Sequence, residues 1–382
     1  MRTTAGMGVV PVVLTAWVVG LGACTGGDDP VPLVTSQGGI RVPEGFPDPV
    51  IPANNPATPD KIELGRYLFY DERLSGNGTQ SCGTCHLQEL AFTDGLTVAE
   101  GSTGQLHARN SNGLTNVAYN STLTWANPTL TELEVQILLP LFGDAPVELG
   151  ATDAVLELLA DDADMVGRFD TVFPDEGITW DTVVAALATF NRAMISGDSP
   201  FDQFAYGNDA EALSAAELRG MELFYSETLE CHHCHGGFNF SEATTHADSV
   251  FDSELFHNTG LYNLDGEGAY PNNNPGVFDI TGNPEDMGRF RPPSLRNVEL
   301  TAPYMHDGSI ETLEEVLDTY ARGGRLIETG AFAGDGAESP LKSGLVAGFS
   351  LSDAERSDLI AFLGSLTDQR FLTDAALSDP TP

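Results

Sequence analysis

Four of the five cysteines in this 382-residue chain stand in two pairs, each followed at once by histidine: Cys82-Gly83-Thr84-Cys85-His86 and Cys231-His232-His233-Cys234-His235. Two thiols one helical turn apart can form thioethers with the two vinyl groups of one haem, and the next histidine then faces the iron as its proximal ligand. Each motif therefore predicts one covalently attached haem c. Two redox-active dithiol pairs, or one zinc ion held by all four cysteines, would use the same thiols. Neither accounts for a histidine immediately after both pairs.

The elements that carry the motifs repeat with them. Gly65-x-x-Leu68-Phe69-Tyr70 precedes the first pair and Gly220-x-x-Leu223-Phe224-Tyr225 the second, as an internal duplication would leave. The periodicity is helical. Thr58-Pro59 is a start signal before Ile62, Leu64 and Leu68; Val183, Leu187, Phe190 and Met194 form one stripe of a helix ending near Ile195; Ser352 with Glu355 makes a capping box before Leu359, Phe362, Leu363 and Leu366. Strand patterns are scarce, so the fold class is mainly α. A cluster of Gly, Asp, Ser and Pro between Gly197 and Ala210 marks the boundary between an N-terminal domain over residues 58–200 and a C-terminal domain over 201–370, with 371–382 as a tail.

Acidic residues outnumber basic ones 56 to 17, giving a formal charge of −39. Such a surface repels nucleic-acid phosphates and anionic headgroups, which excludes nucleic-acid binding and a polybasic membrane role. It suits solubility or steering of a basic protein partner. Arg2 and the apolar run from Val9 to Leu21 read as an export signal over residues 1–24, too short to span a bilayer comfortably. The run ends in Leu21-Gly22-Ala23-Cys24, which resembles a bacterial lipobox. Cys24 is then the lipidated mature N-terminus, residues 25–57 are a flexible tether, and the body is held on the periplasmic side by the lipid anchor alone. Attachment of haem c after export agrees with this address.

A further run, Arg291-Pro292-Pro293-Ser294-Leu295-Arg296-Asn297, continues through Leu300-Thr301-Ala302-Pro303-Tyr304-Met305-His306-Asp307-Gly308 to Thr312-Leu313-Glu314-Glu315. With the two CxxCH motifs it resembles the bacterial dihaem cytochrome c peroxidases and their relative MauG, over residues 45 to 366. The resemblance implies two cytochrome c-like haem domains with the haems near their shared interface. In that family the residue fourteen after the histidine of His-Asp-Gly is methionine in the peroxidases and tyrosine in MauG; here it is Tyr320. A phenolate is a hard, anionic donor that favours higher oxidation states of iron, whereas a thioether favours the reduced metal. The second haem, held by His235 and Tyr320, is thus expected to store an oxidising equivalent, with Met305 and Met287 as the competing ligands. The stretches 257–266 and 284–290, with Trp125-Ala126-Asn127-Pro128, resemble the MbnH-like branch, whose members oxidise a tryptophan of a copper-binding partner, MbnP, to kynurenine.

What the resemblance implies for the site is carried over position by position. The first haem, on His86, reacts with hydrogen peroxide; Glu148 is the distal acid, Gln136 the distal glutamine and Pro140 the crowding proline, with two extra residues between Pro140 and Glu148. Trp125 lies between the haems as a hopping station. Asn110, Thr301 and Pro303 match the positions that bind calcium between the domains, through one side-chain oxygen and two backbone carbonyls. His107 is five residues beyond Ser102, where peroxidases supply a distal histidine, and reads as a loop histidine beside an open haem. Leu229-Glu230 replaces the surface tryptophan that MauG uses as a hole exit. His232 and His233 read as exposed filler, and His246 and His257 as polar surface or a metal site.

The expected function is an exported dihaem oxidoreductase that reacts with peroxide to reach a high-valent two-haem state and oxidises a partner protein. The nearest enzyme alternative is a cytochrome c peroxidase fed by a small cytochrome or cupredoxin. A dihaem electron carrier is the alternative of another class, but it leaves Glu148, Gln136 and Pro140 without a purpose.

Overall fold

The computed structural model describes residues 31–35, 37–144, 146–250 and 256–381. The expected signal peptide and Cys24 lie outside the described residues. Eight described helices have eight or more residues: α1 (Pro59–Phe69), α2 (Leu133–Phe142), α3 (Asp153–Ala160), α4 (Ala163–Val172), α5 (Trp180–Arg192), α6 (Ala215–Phe224), α7 (Leu313–Arg322) and α8 (Asp353–Gly364). Strand structure among the described residues is confined to two small antiparallel hairpins, Leu33–Thr35 with Arg41–Pro43 and Leu326–Ile327 with Gly334–Asp335.

The helix starts follow their sequence signals. Pro59 opens α1 while the Thr58 hydroxyl accepts from the Lys61 amide at 3.2 Å. Ser352 and Glu355 close the capping box of α8. Helix α5 ends at Arg192, three residues before the expected end near Ile195.

The duplicated glycines explain their own repetition. At Gly65, in α1, a Cβ would lie 2.1 Å from the carbonyl oxygen of Ala186 in α5; at Gly220, in α6, it would lie 2.0 Å from that of Asp358 in α8. Each domain is thus built on one helix pair whose backbones touch at a glycine, which brings the following Leu-Phe onto the core. Gly220→Ala should destabilise the haem-loaded protein by about 1–3 kcal/mol, since neither backbone can give way without moving a helix. Chemical unfolding followed by circular dichroism measures this; an unchanged midpoint would contradict the close crossing.

A third repeated element becomes visible in three dimensions. Leu114-Thr115-Asn116-Val117 and Leu295-Arg296-Asn297-Val298 each place a fully buried asparagine in the left-handed region, at φ 55° and 60°, before a short 3-10 turn. The asparagines link the halves: Asn116 Nδ2 donates to Asn239 Oδ1 at 3.1 Å, and Asn297 Nδ2 to Ser196 Oγ at 3.1 Å.

Two segments differ from the sequence expectation. Residues 31–57, expected to be a tether, form the first hairpin and bury Val31, Ile40, Val42 and Phe46, with Ile40 and Val42 packed near Tyr119. Residues 371–381, expected as a tail, return to the N-terminal domain. Phe371 packs edge-on against Phe92, and Tyr70 donates to the Leu377 carbonyl at 2.7 Å. The expected boundary at 197–210 holds a short helix, Pro200–Ala205, capped reciprocally by Ser199 and Asp202.

Asp202 does more than cap. Its carboxylate takes Arg296 Nη1 and Nη2 at 2.8 and 3.0 Å, with both side chains fully buried, and the guanidinium lies 4.7 Å from the Phe46 ring. Removing one member of such a pair leaves a buried charge uncompensated. Asp202→Ala should therefore cost about 3–5 kcal/mol of holoprotein stability, read from the unfolding midpoint; a loss under about 1 kcal/mol, the worth of an exposed pair, would show that the pair is not sealed from water.

Candidate active site: two haem-attachment centres

At the first centre, Cys82–Cys85 form one helical turn capped by Ser81, and His86 follows as the chain leaves it. His86 Nδ1 lies 2.8 Å from the Phe92 carbonyl, so this nitrogen donates and Nε2 is left as the ligand atom. At the second, Cys231–His235 form the turn, and His235 Nδ1 meets the Pro293 carbonyl at 3.1 Å. The Arg-Pro-Pro-Ser motif thus sets the orientation of the second histidine. Burial depresses both imidazoles, His235 to about 4, keeping them neutral and available as ligands.

The thiols argue against the competing chemistries. Burial pushes Cys82 and Cys231 up to about 12 and Cys85 to about 11, opposite to the lowered values of reactive dithiols. Among the described residues none of the four is in a disulfide, and no metal-sized group of ligands joins the two pairs.

A large cavity adjoins the second centre. Cys231, Cys234 and His235 line it together with Tyr320 from α7, while Asn110 and Trp125 come from the N-terminal half. Burial, then the neighbouring Cys234 and Cys231 sulfurs, hold the Tyr320 phenol well above its ordinary value. A phenolate here therefore requires a cation, which a ferric haem would supply. Met305 also borders the cavity; Met287 is not among its lining residues.

Two orphaned polar atoms show that this cavity fits a haem. Arg291 is 4% exposed, and burial without a carboxylate partner lowers its guanidinium to about 10. Its Nε donates to the Thr124 carbonyl at 3.0 Å, but Nη1 has no partner. His306 stacks on Phe290 at 3.5 Å with Nε2 likewise unpartnered. Both residues line the cavity, where the propionates of a haem would supply the missing acceptors.

Trp125 is clamped between the halves. Its indole donates to the Asn110 carbonyl at 2.8 Å, its own carbonyl accepts from the Arg291 amide at 2.8 Å, and the ring belongs to a buried cluster with Tyr262, Tyr270 and Phe290. Asn110, Thr301 and Pro303 all line the same cavity.

On the distal side expected for the first haem, Gln136 and Pro140 sit on α2, and the Leu149 amide donates to the Pro140 carbonyl at 2.9 Å. This bond ties the loop carrying Glu148 to the helix. The Ser102 amide donates to the Glu148 carbonyl at 2.7 Å, and the Glu148 charge bears on Cys82, Cys85 and His86. His107, read from sequence as a loop histidine, does lie in a loop, but its Nε2 is 2.9 Å from Glu148 Oε1. Sequence reasoning missed this pair because 41 residues separate its members. His257 bonds to Glu242, and His246 accepts from the Asp248 amide.

Residues 59–210 match the family model of di-haem cytochrome c peroxidase. The chain is 34% identical over 337 residues to cytochrome-c peroxidase IdrP1 of Pseudomonas sp. strain SCT, covering 84% of each chain. It is 35% identical over 331 residues to the methylamine utilization protein MauG of Methylorubrum extorquens, covering 86% of this chain and 83% of the relative. Among solved structures, a MauG-like protein associated with microbial copper homeostasis superposes with a TM-score of 0.87 at 50% identity, over 89% of this chain and 98% of that one. The diheme peroxidase BthA of Burkholderia thailandensis, at 20% identity and TM-score 0.63, shares the fold. With two attachment turns, two oriented histidines and these relatives, the chain belongs to the dihaem cytochrome c peroxidase and MauG family of c-type haem oxidoreductases.

Proposed function

We propose that the protein takes two oxidising equivalents from hydrogen peroxide at the first haem, shares them with the second, and spends them on a partner protein. Its narrower form is oxidation of a tryptophan to kynurenine on an MbnP-like copper-binding protein, a four-electron change that consumes two peroxides per tryptophan and releases the excised ring carbon as formate on hydrolysis. The observation that carries the reading is Tyr320 facing the same cavity as His235, with Trp125 on the wall contributed by the other domain. The 50% identical MauG-like protein, described as associated with copper homeostasis, supports the choice of partner. Cys24 as a lipid anchor and a periplasmic body belong to the same proposal.

The haems, held by Cys82, Cys85 and His86 and by Cys231, Cys234, His235 and Tyr320, would supply the redox chemistry. The chain's own residues prepare it. Glu148 moves a proton from the inner to the outer peroxide oxygen, making water the leaving group. His107 keeps the Glu148 carboxylate in place and can return its proton. Gln136 and Pro140 shape the peroxide side of the pocket. Trp125, buried and fixed at both its indole and its backbone, is the aromatic station between the centres. Arg291 and His306 anchor the propionates, and Asn110, Thr301 and Pro303 hold a calcium ion at the domain interface.

Stoichiometric peroxide added to the haem-loaded diferric protein, with no electron donor, tests the reading. Two oxidising equivalents per chain should be retained and counted by back-titration with a one-electron reductant. A protein that reacts only after one haem has been reduced would overturn it. That result would favour the second reading, a peroxidase drawing on a small cytochrome or cupredoxin, which the peroxidase names of the 34% identical relatives support. Fast multiple turnover with reduced cytochrome is the mark of that alternative.

A further inference from the structure

Two groups of side chains among the described residues gather metal-binding atoms. One, Cys234 with Glu242 and His257, uses a sulfur that haem attachment consumes. The other is independent of the haems' bonds. Cys231 and Cys234 are committed to the haem, and the two residues between them, His232 and His233, meet the acids that precede the turn. His233 Nε2 lies 2.8 Å from Glu230 Oε2 and 3.3 Å from Glu227 Oε2; His232 Nε2 lies 3.7 Å from Glu227 Oε1. The two imidazole rings are 4.2 Å apart, inclined by 34°. Glu230 takes a left-handed backbone, φ 60°, which starts the turn.

We propose that Glu227, His232 and His233 form a binding site for a divalent cation of the zinc and copper(II) class, with Glu230 beside His233, on the outer edge of the second haem's attachment loop. Four-coordinate zinc with nitrogen and oxygen ligands about 2.0–2.2 Å from the metal needs ligand atoms roughly 3.3–3.5 Å from one another. The Glu227 oxygens lie 3.3 and 3.7 Å from the two imidazole nitrogens, close to that value, and the three ligand atoms all fall within 4.8 Å of one another, so three positions can be met after side-chain adjustment and water can take the fourth. Two imidazoles with a carboxylate suit zinc, nickel or copper(II) rather than magnesium or calcium, and copper(II) should bind most tightly. Glu227 and His233 are exposed, so a cation can enter from solvent, and the net charge of −39 favours its approach. The ion would place two positive charges beside the second haem and pin the loop that carries it. The two middle positions of an attachment motif are not bonded to the haem, so they are open to a second task.

The test uses the haem-loaded protein after treatment with a chelator. Calorimetric titration with zinc should show one ion per chain, and His232→Ala combined with His233→Ala should weaken that binding by at least about tenfold. Because a change inside the attachment motif can impair maturation, Glu227→Gln, outside it, serves as the second variant and should also weaken zinc. In the unmodified protein, copper(II) should give a spin-resonance spectrum with coupling to imidazole nitrogen, broadened by the nearby ferric haem. Zinc bound equally well by the variants, no zinc bound by the unmodified protein, or a copper spectrum without nitrogen coupling would each overturn the assignment.

Discussion

Glu148→Gln should lower the second-order rate constant for reaction with peroxide by about 10²–10⁴-fold, the span that a positioned proton donor and acceptor contributes, while both haems remain attached. The substitution keeps shape and polarity and removes only the ability to take up and release a proton. His107→Gln is the informative companion. The 2.9 Å contact makes His107 a partner of Glu148, so its loss should leave a smaller defect and alter the pH dependence of the peroxide reaction. If Glu148→Gln reacted at the unmodified rate, the distal acid would have to be sought elsewhere, and the two extra residues before Glu148 would be the reason the family's position does not transfer.

The attachment chemistry was legible because it is local: thiols, histidine and the preceding Gly-x-x-Leu-Phe-Tyr lie within some twenty residues in each copy. Helix starts at Thr58 and Ser352 were legible for the same reason, since a cap reads only the next three residues. Residues 31–57 and 371–381 were misread because their anchors, Val31, Ile40, Phe46, Phe371 and Leu377, lie in apolar clusters of one to four residues, too short to show a period. Periodicity reports which face of a regular element is buried and is silent on irregular chain that packs. The Glu148–His107 pair and the unpartnered Nη1 of Arg291 escaped notice on different grounds. They depend on which loops meet, and only the closed fold brings them together.

Arg291 shows how fold and site are one construction. Its amide holds the Trp125 carbonyl, its Nε holds the Thr124 carbonyl, and Pro293, two residues on, orients His235. A displacement of this short segment would disturb His235, Trp125 and the buried Arg291 guanidinium together. Its neighbour Arg296 is locked to Asp202, fully buried, so the segment is braced from the far side. Such rigidity is what a redox site gains from, because reorganisation on electron transfer then falls to the cofactor rather than to the chain.

Tyr320→Met should abolish storage of oxidising equivalents and raise the reduction potential of the second haem, since a neutral thioether favours reduced iron where an anionic phenolate favours the oxidised metal. Methionine is close enough in size to fill the place on α7, so folding and attachment through Cys231, Cys234 and His235 should survive. Held above its ordinary pKa by desolvation, Tyr320 would lose its proton to solvent only beside a positive charge, so a phenolate ligand and ferric iron would stabilise each other. The variant should therefore behave as a peroxidase: peroxide consumed only after one haem is reduced, turnover sustained by an external donor, and oxidation of the partner protein lost. Redox titration of the second haem, together with its Soret circular dichroism, separates this outcome from simple damage: the thioethers keep the haem attached in either case, but a misfolded centre would lose the native dichroism while a ligand exchange would keep it. An unchanged potential with partner oxidation intact would remove Tyr320 from the iron and leave Met305, which borders the same cavity, as the ligand.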